Sequence, residues 1–134
     1  MRKNLNATYS LPIFIRDALT EIAKANNETY TATLIDCVNR FVKNNGLNQQ
    51  AMNQRQPRRT QQKQKARLLI EDRLATHNRH IPEDAFAIRL SHFVLPEATI
   101  NSIVDIARSM GITNTGAVSL AVLEAWLWDL KKSA

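Results

Sequence analysis

Along residues 4–11 polar and apolar side chains alternate without a break, which is the period of a strand with one wet face. Leu5, Ala7, Tyr9 and Leu11 are placed toward a core, and Asn4, Asn6, Thr8 and Ser10 toward the opposite face. Pro12 then ends the strand, because it lacks a ladder N–H but fits the first turn of a helix. The period changes at once. Ile15, Leu19, Ile22 and Ala23 form an i, i+4, i+7, i+8 stripe that Asn26 and Asn27 interrupt. Thr29 follows as the N-cap of a second helix, whose Leu34, Ile35, Val38, Phe41 and Val42 make a broad apolar face up to Asn45 and Gly46.

The same pattern returns 84 residues later: Leu11-Pro12 as Leu95-Pro96, Ile22-Ala23 as Ile106-Ala107, Thr29 and Thr31 as Thr113 and Thr115, Val38 as Val122. A constant offset means one supersecondary unit used twice. It predicts a strand over 86–95, a helix over 96–110 and a longer helix over 113–132, with Val118, Val122, Trp126 and Leu130 on the last apolar side. Trp126 and Trp128 cannot share one narrow helical face, so one is assigned to the interior and the other to a contact surface. Between the copies, seven glutamines in residues 48–64 predict a linker, and Leu68, Leu69 and Leu74 predict a short amphipathic helix over 66–77. The resulting organisation is a first unit at 1–47, a linker at 48–85 and a second unit at 86–134.

At 134 residues and 44% hydrophobic content, the chain carries enough apolar surface for a core of ordinary size. Its start runs directly into polar residues, so a cytoplasmic protein without a membrane partner is expected. The net charge of +6 is informative once located. Residues 1–48 carry +2 and residues 68–134 carry −2, so 49–67 hold +6 through Arg55, Arg58, Arg59, Lys63, Lys65 and Arg67. Such a run points to a polyanionic partner, or more plainly to a linker kept soluble by charge.

A strand ending in Pro, a helix, a tight turn through Asn or Gly, a Thr cap and a second helix resembles the ribbon-helix-helix family of the Arc and MetJ repressors. The resemblance covers residues 4–45 and 88–130. It implies a mostly α fold with a short two-stranded antiparallel β-ribbon, the two units forming an intramolecular pseudo-dimer like the tandem proteins of plasmid transfer. Elementary physics favours the same pairing: a lone strand leaves both edges unpaired, and a lone helix pair leaves its stripe wet. In that family the ribbon enters the DNA major groove, which accommodates two strands.

Carried onto this chain, the resemblance makes Asn6, Thr8 and Ser10 base-reading residues, with Asn4 and the preceding Arg2 and Lys3 beside them. The N-termini capped by Thr29 and Thr113 would receive phosphate oxygens, with Thr31 and Thr115 adding hydroxyls. Capping alone is the plainer role for each threonine. Arg58, Arg59, Lys63 and Lys65 would add affinity for the backbone. The second strand is less regular. The 84-residue offset turns Leu90, His92 and Val94 outward, whereas Ile88 and Leu90 turned inward would put Ala87, Arg89 and Ser91 outward and require a bulge before Leu95. Arg89, Ser91 and His92 are the contacts expected from this strand.

Little else in the chain suggests chemistry. Cys37 stands alone in an apolar run, and His77 with His80 precedes Pro82 at a helix end, so neither a metal nor a cofactor is expected. Glycines occur only at 46, 111 and 116, which excludes a phosphate-cradling loop. An enzyme is not expected. Two function classes stay open: a sequence-specific double-stranded DNA-binding protein, acting as a transcriptional repressor or a plasmid-transfer or maintenance factor and self-associating on adjacent sites, or an antitoxin-like or assembly module binding a protein through its second unit.

Overall fold

In a computed structural model, which describes residues 4–45 and 56–133, the chain is mostly helical with one two-stranded antiparallel sheet. Strand β1 (Asn4–Pro12) leads into α1 (Ile13–Asn26) and α2 (Tyr30–Asn45). Helix α3 (Arg59–Thr76) and a 3-10 turn (Glu83–Phe86) precede β2 (Ile88–Pro96), α4 (Glu97–Met110) and α5 (Asn114–Ser133). The second set begins at 88, 97 and 114 where the first begins at 4, 13 and 30, a constant offset of 84. Arg2, Lys3, Arg55 and the side chain of Leu130 lie outside the described residues.

Local chemistry sets the matching boundaries. Pro12 and Pro96 take nearly identical extended conformations, φ −57° and ψ 145° or 144°, and each leads directly into a helix. At the far ends of α1 and α4, Asn27 (φ 53°) and Gly111 (φ 68°) adopt the left-handed conformation that closes a helix. The next helices start alike. The Thr29 hydroxyl accepts from the Ala32 N–H at 3.1 Å, and the Thr113 hydroxyl accepts from the Gly116 N–H at 3.0 Å.

The two helices of each unit pack against the ribbon, α3 packs on α5, and one core joins them. Tyr9 and Leu11 from β1 and Phe93 and Leu95 from β2 are buried there with Ile15, Leu19, Leu34, Val38, Ile103, Ile106, Val118, Val122 and Leu123. The Phe93 ring stacks on Tyr30 at 5.8 Å between centroids and tilts against Tyr9 at 6.3 Å. Leu5 points to the same side but lies near the ribbon's end and stays partly wet. Among the described residues no helix is long and apolar enough to cross a membrane.

The expected helix at 66–77 is longer than its apolar residues suggested, and it begins at Arg59 within the glutamine-rich stretch. Arg, Gln and Lys are good helix formers, and no Gly or Pro interrupts 59–76. Its buried face is Ala66, Ile70 and Leu74, whereas Leu68 points outward and is 64% exposed. The face packs on α5, and Ala66 comes so close that a Cβ on Gly116 would stand 2.7 Å from its own Cβ. Further along, Arg73 forms a two-point pair with Glu124, one arm at 3.1 Å. Phe86, expected in the strand, instead ends the 3-10 turn and meets Phe14 edge to face at 4.9 Å.

Candidate nucleic-acid interface

The ribbon's outer face follows from its register. Asn6 stands opposite Val94, Thr8 opposite His92 and Ser10 opposite Leu90, with no bulge. Asn4, Asn6 and Thr8 are exposed and Ser10 is half-buried, while Tyr9 and Leu11 between them are buried. At the centre the Thr8 hydroxyl and His92 Nδ1 share a hydrogen bond of 2.8 Å. This bond ties the strands together on the open face and holds the imidazole there. The remaining ring nitrogen and the Asn6 amide are hydrogen-bonding groups of the kind that read base edges.

The alternative register for β2 is not adopted. Ser91 faces the helices and is 5% exposed, and its hydroxyl donates to the Arg89 carbonyl at 3.5 Å. The ladder runs without the bulge that burying Ile88 and Leu90 as well would require, so Phe93 and Leu95, over the helices, are buried and Ile88 and Leu90, toward the ribbon's end, stay exposed. Ser91 therefore leaves the set of outward residues. Arg89 pairs with Leu11 in the register, on the inward parity, but its position close to the end of the strand leaves it exposed. It borders a shallow cavity with Arg16, Ile88 and Leu90. Arg16 had no signal in the sequence, because its neighbourhood is created by the turn from residue 87 into β2.

The two capped N-termini differ in their surroundings. Thr29 is exposed and Thr31 half-buried at the start of α2. Thr113 and Thr115, at the start of α5, line a cavity of about 320 Å³ together with Ser10, Arg59, Lys63 and Ile88. A neighbouring cavity of about 540 Å³ is bordered by Thr8, Arg59, Gln62, Thr113 and Thr115. The first turn of α3 thus brings cations to the positive end of α5, beside the ribbon. Coulomb repulsion makes that arrangement unfavourable on its own and favourable around an anion.

The basic run divides by role. Arg67 lies 3.8 Å over the Phe86 ring, and its guanidinium donates to Glu71 at 2.7 Å and Glu83 at 2.8 Å. The Glu71 hydrogen bond is the chief reason its pKa is raised above the ordinary guanidinium value. Lys65 extends beside the Gly111 turn at the C-terminal end of α4. Among the described residues, none forms an ion pair with Arg58, Arg59 or Lys63, and all three are exposed. Trp126 is half-buried and donates its indole N–H to Glu21 at 2.8 Å, and Trp128 is 49% exposed. Comparison with protein-family models, with curated proteins and with solved structures finds no match.

Proposed function

We propose that this protein is a tandem, single-chain member of the ribbon-helix-helix superfamily that binds specific double-stranded DNA by laying its β-ribbon in the major groove. One observation carries the reading: the ribbon is centred on Thr8 opposite His92, a residue and its own counterpart 84 positions on. Two copies of a unit related by a pseudo-twofold axis through a ribbon have to meet at equivalent residues. The matching caps, prolines and helix starts support the same axis and the reading of the chain as an intramolecular pseudo-dimer.

The roles then follow from position. Asn6, Thr8 and His92 offer hydrogen bonds to base edges, and Asn4 and Ser10 extend that row. The N–H groups starting α2 and α5 receive phosphate oxygens beside Thr29, Thr31, Thr113 and Thr115, Arg59 and Lys63 supply charge next to the second of these, and Arg58 precedes them at the start of α3. A protein of this type regulates transcription or assists plasmid transfer or maintenance. The test is binding of the full chain to duplexes that it selects from a randomised library. Asn6→Ala is expected to weaken the selected site by about 1–3 kcal/mol while leaving binding to random duplex almost unchanged. Equal affinity for selected and random DNA refutes the proposal.

A second reading has its own observation. Ile88, Leu90, Val94 and Trp128 are large apolar side chains left exposed, and such residues also serve protein-interaction modules of the antitoxin or assembly kind.

A further inference from the structure

The outward row of β2 differs in kind from that of β1. Leu90 and Val94 stand where Asn6 and Ser10 have their counterparts, and they are 66% and 55% exposed; Ile88, at the ribbon's end, is 66% exposed. Nothing in the register forces this. Phe93 and Leu95 already supply the buried face of β2, so its outward positions were free to be polar.

We propose that Leu90 and Val94, with Ile88 at the end of the row, read thymine C5-methyl groups, so that the bases facing β2 are specified by apolar contact and those facing β1 by hydrogen bonds. This rests on the DNA-binding reading above. The thymine methyl is the apolar group that base edges display in the major groove. The row has the right dimensions for it. Val94 stands opposite Asn6 and Leu90 opposite Ser10, about 4.8 Å away across the ribbon, and Ile88 stands opposite Pro12 at the end. A protein partner would require a larger contiguous apolar patch; here only Ile88 and Leu90 adjoin, and His92 with Asn6, Thr8 and Ser10 separates them from Val94. A groove offers the mixed surface that matches it.

Charge points to the same occupant. Ile88 borders both the cavity that holds Arg16 and Arg89 and the cavity that holds Arg59 and Lys63. An apolar row flanked by cations suits bases flanked by phosphates, and it does not suit an apolar protein face. A consequence is a non-palindromic target, thymine-rich on the part that β2 covers. In a ribbon built from two identical chains, Asn6 would be matched by a second Asn6. Here its counterpart is Leu90.

The experiment replaces each thymine of the selected duplex, one at a time, by deoxyuridine, which removes the methyl and preserves pairing. Affinity is read by fluorescence anisotropy with the full chain. Loss of about fourfold is expected at two or more clustered positions, the value of one buried methyl group. In Leu90→Ala and Val94→Ala, whose side chains are exposed and outside the core, the loss should vanish at one position each while circular dichroism stays unchanged. Selective binding that is indifferent to uracil at every thymine overturns this inference and leaves the DNA-binding reading intact. Failure to select any sequence overturns both. If uracil has no effect and Leu90→Ala dissolves a dimer seen by light scattering, the occupant is a second copy of the chain, and the inference also falls.

Discussion

Gly116→Ala tests the placement of α3, on which the position of Arg59 and Lys63 depends. In an ordinary helix this substitution stabilises by about 1 kcal/mol, because alanine loses less backbone entropy. At Gly116 the new Cβ would stand 2.7 Å from the Ala66 Cβ and 3.2 Å from the Thr113 hydroxyl, and the first of these cannot rotate away. Either α3 moves off α5 or both helices shift, and overpacking of this kind costs about 1–3 kcal/mol. With an overlap this large, the upper half of that range applies and the net change is a loss of about 1–2 kcal/mol. Removing the opposing methyl separates the two effects. In an Ala66→Gly background only the milder approach to the Thr113 hydroxyl remains, so Gly116→Ala should again be neutral to stabilising, giving a coupling of about 2–3 kcal/mol between the sites. Urea denaturation of the four proteins measures it. Additive effects, with Gly116→Ala stabilising in both backgrounds, would refute the packing of α3 on α5.

Other consequences can be measured in the same protein. On the DNA-binding proposal, Arg59→Gln and Lys63→Gln are each expected to reduce the slope of log affinity against log salt by about 1, with little change in base preference. Titration of salt against anisotropy measures this, and an unchanged slope would separate α3 from the DNA. Burial pushes the Cys37 thiol from 9.0 up to about 12, so it should resist iodoacetamide at pH 8 until the protein is unfolded. Because the folded pKa is the higher one, the neutral thiol's contribution is complete below about pH 9 and is lost as the pH rises toward about 12. Cys37→Ala should flatten that alkaline loss in a pH series of denaturant melts, and an identical fall in both proteins would argue against it.

The helices and strands were readable because each has a period, and each period has a chemical stop. Pro12 and Pro96 end strands, and Asn27 and Gly111 end helices. Helix α3 was only half readable. Its first two turns carry glutamine and basic residues, which resemble a linker by composition yet are intrinsically helix-forming, and its buried side is one residue wide: Ala66, Ile70, Leu74. The spacing of those three is legible, but Leu68 adds an apolar residue that faces water, and Leu69 is only half-buried at the edge of the core. The register of β2 was the other difficulty. Ile88 to Leu90 and Phe93 to Leu95 suggest opposite faces, and only the presence of Tyr30 and the core beneath Phe93 decides between them. The cavities shared by Arg59 with Thr113, and by Arg16 with Arg89, depend on long-range packing that no local pattern encodes.

On the reading proposed above, carrying both units in one chain frees the recognition surface from the symmetry of the core. Where side chains interlock, the copies agree: Leu11 with Leu95, Ile22 with Ile106, Ala23 with Ala107, Val38 with Val122, all buried. Other buried counterparts differ in size or kind, Ile15 with Thr99, Cys37 with Ala121 and Phe41 with Ala125, so what the core holds in common is small or apolar character and close packing. On the outer face the counterparts are Asn6 and Leu90, Thr8 and His92, Ser10 and Val94, none of them alike. No packing constraint acts there. A homodimer would have to present the same three residues from both strands and so favour a palindrome. A fused pair can instead give one strand hydrogen bonds and the other aliphatic contacts, and it can place a single basic helix, α3, beside one of two otherwise equivalent N-termini. On the proposed reading the asymmetry is therefore a directional device: the target's two ends differ, and the protein can sit on it in only one orientation.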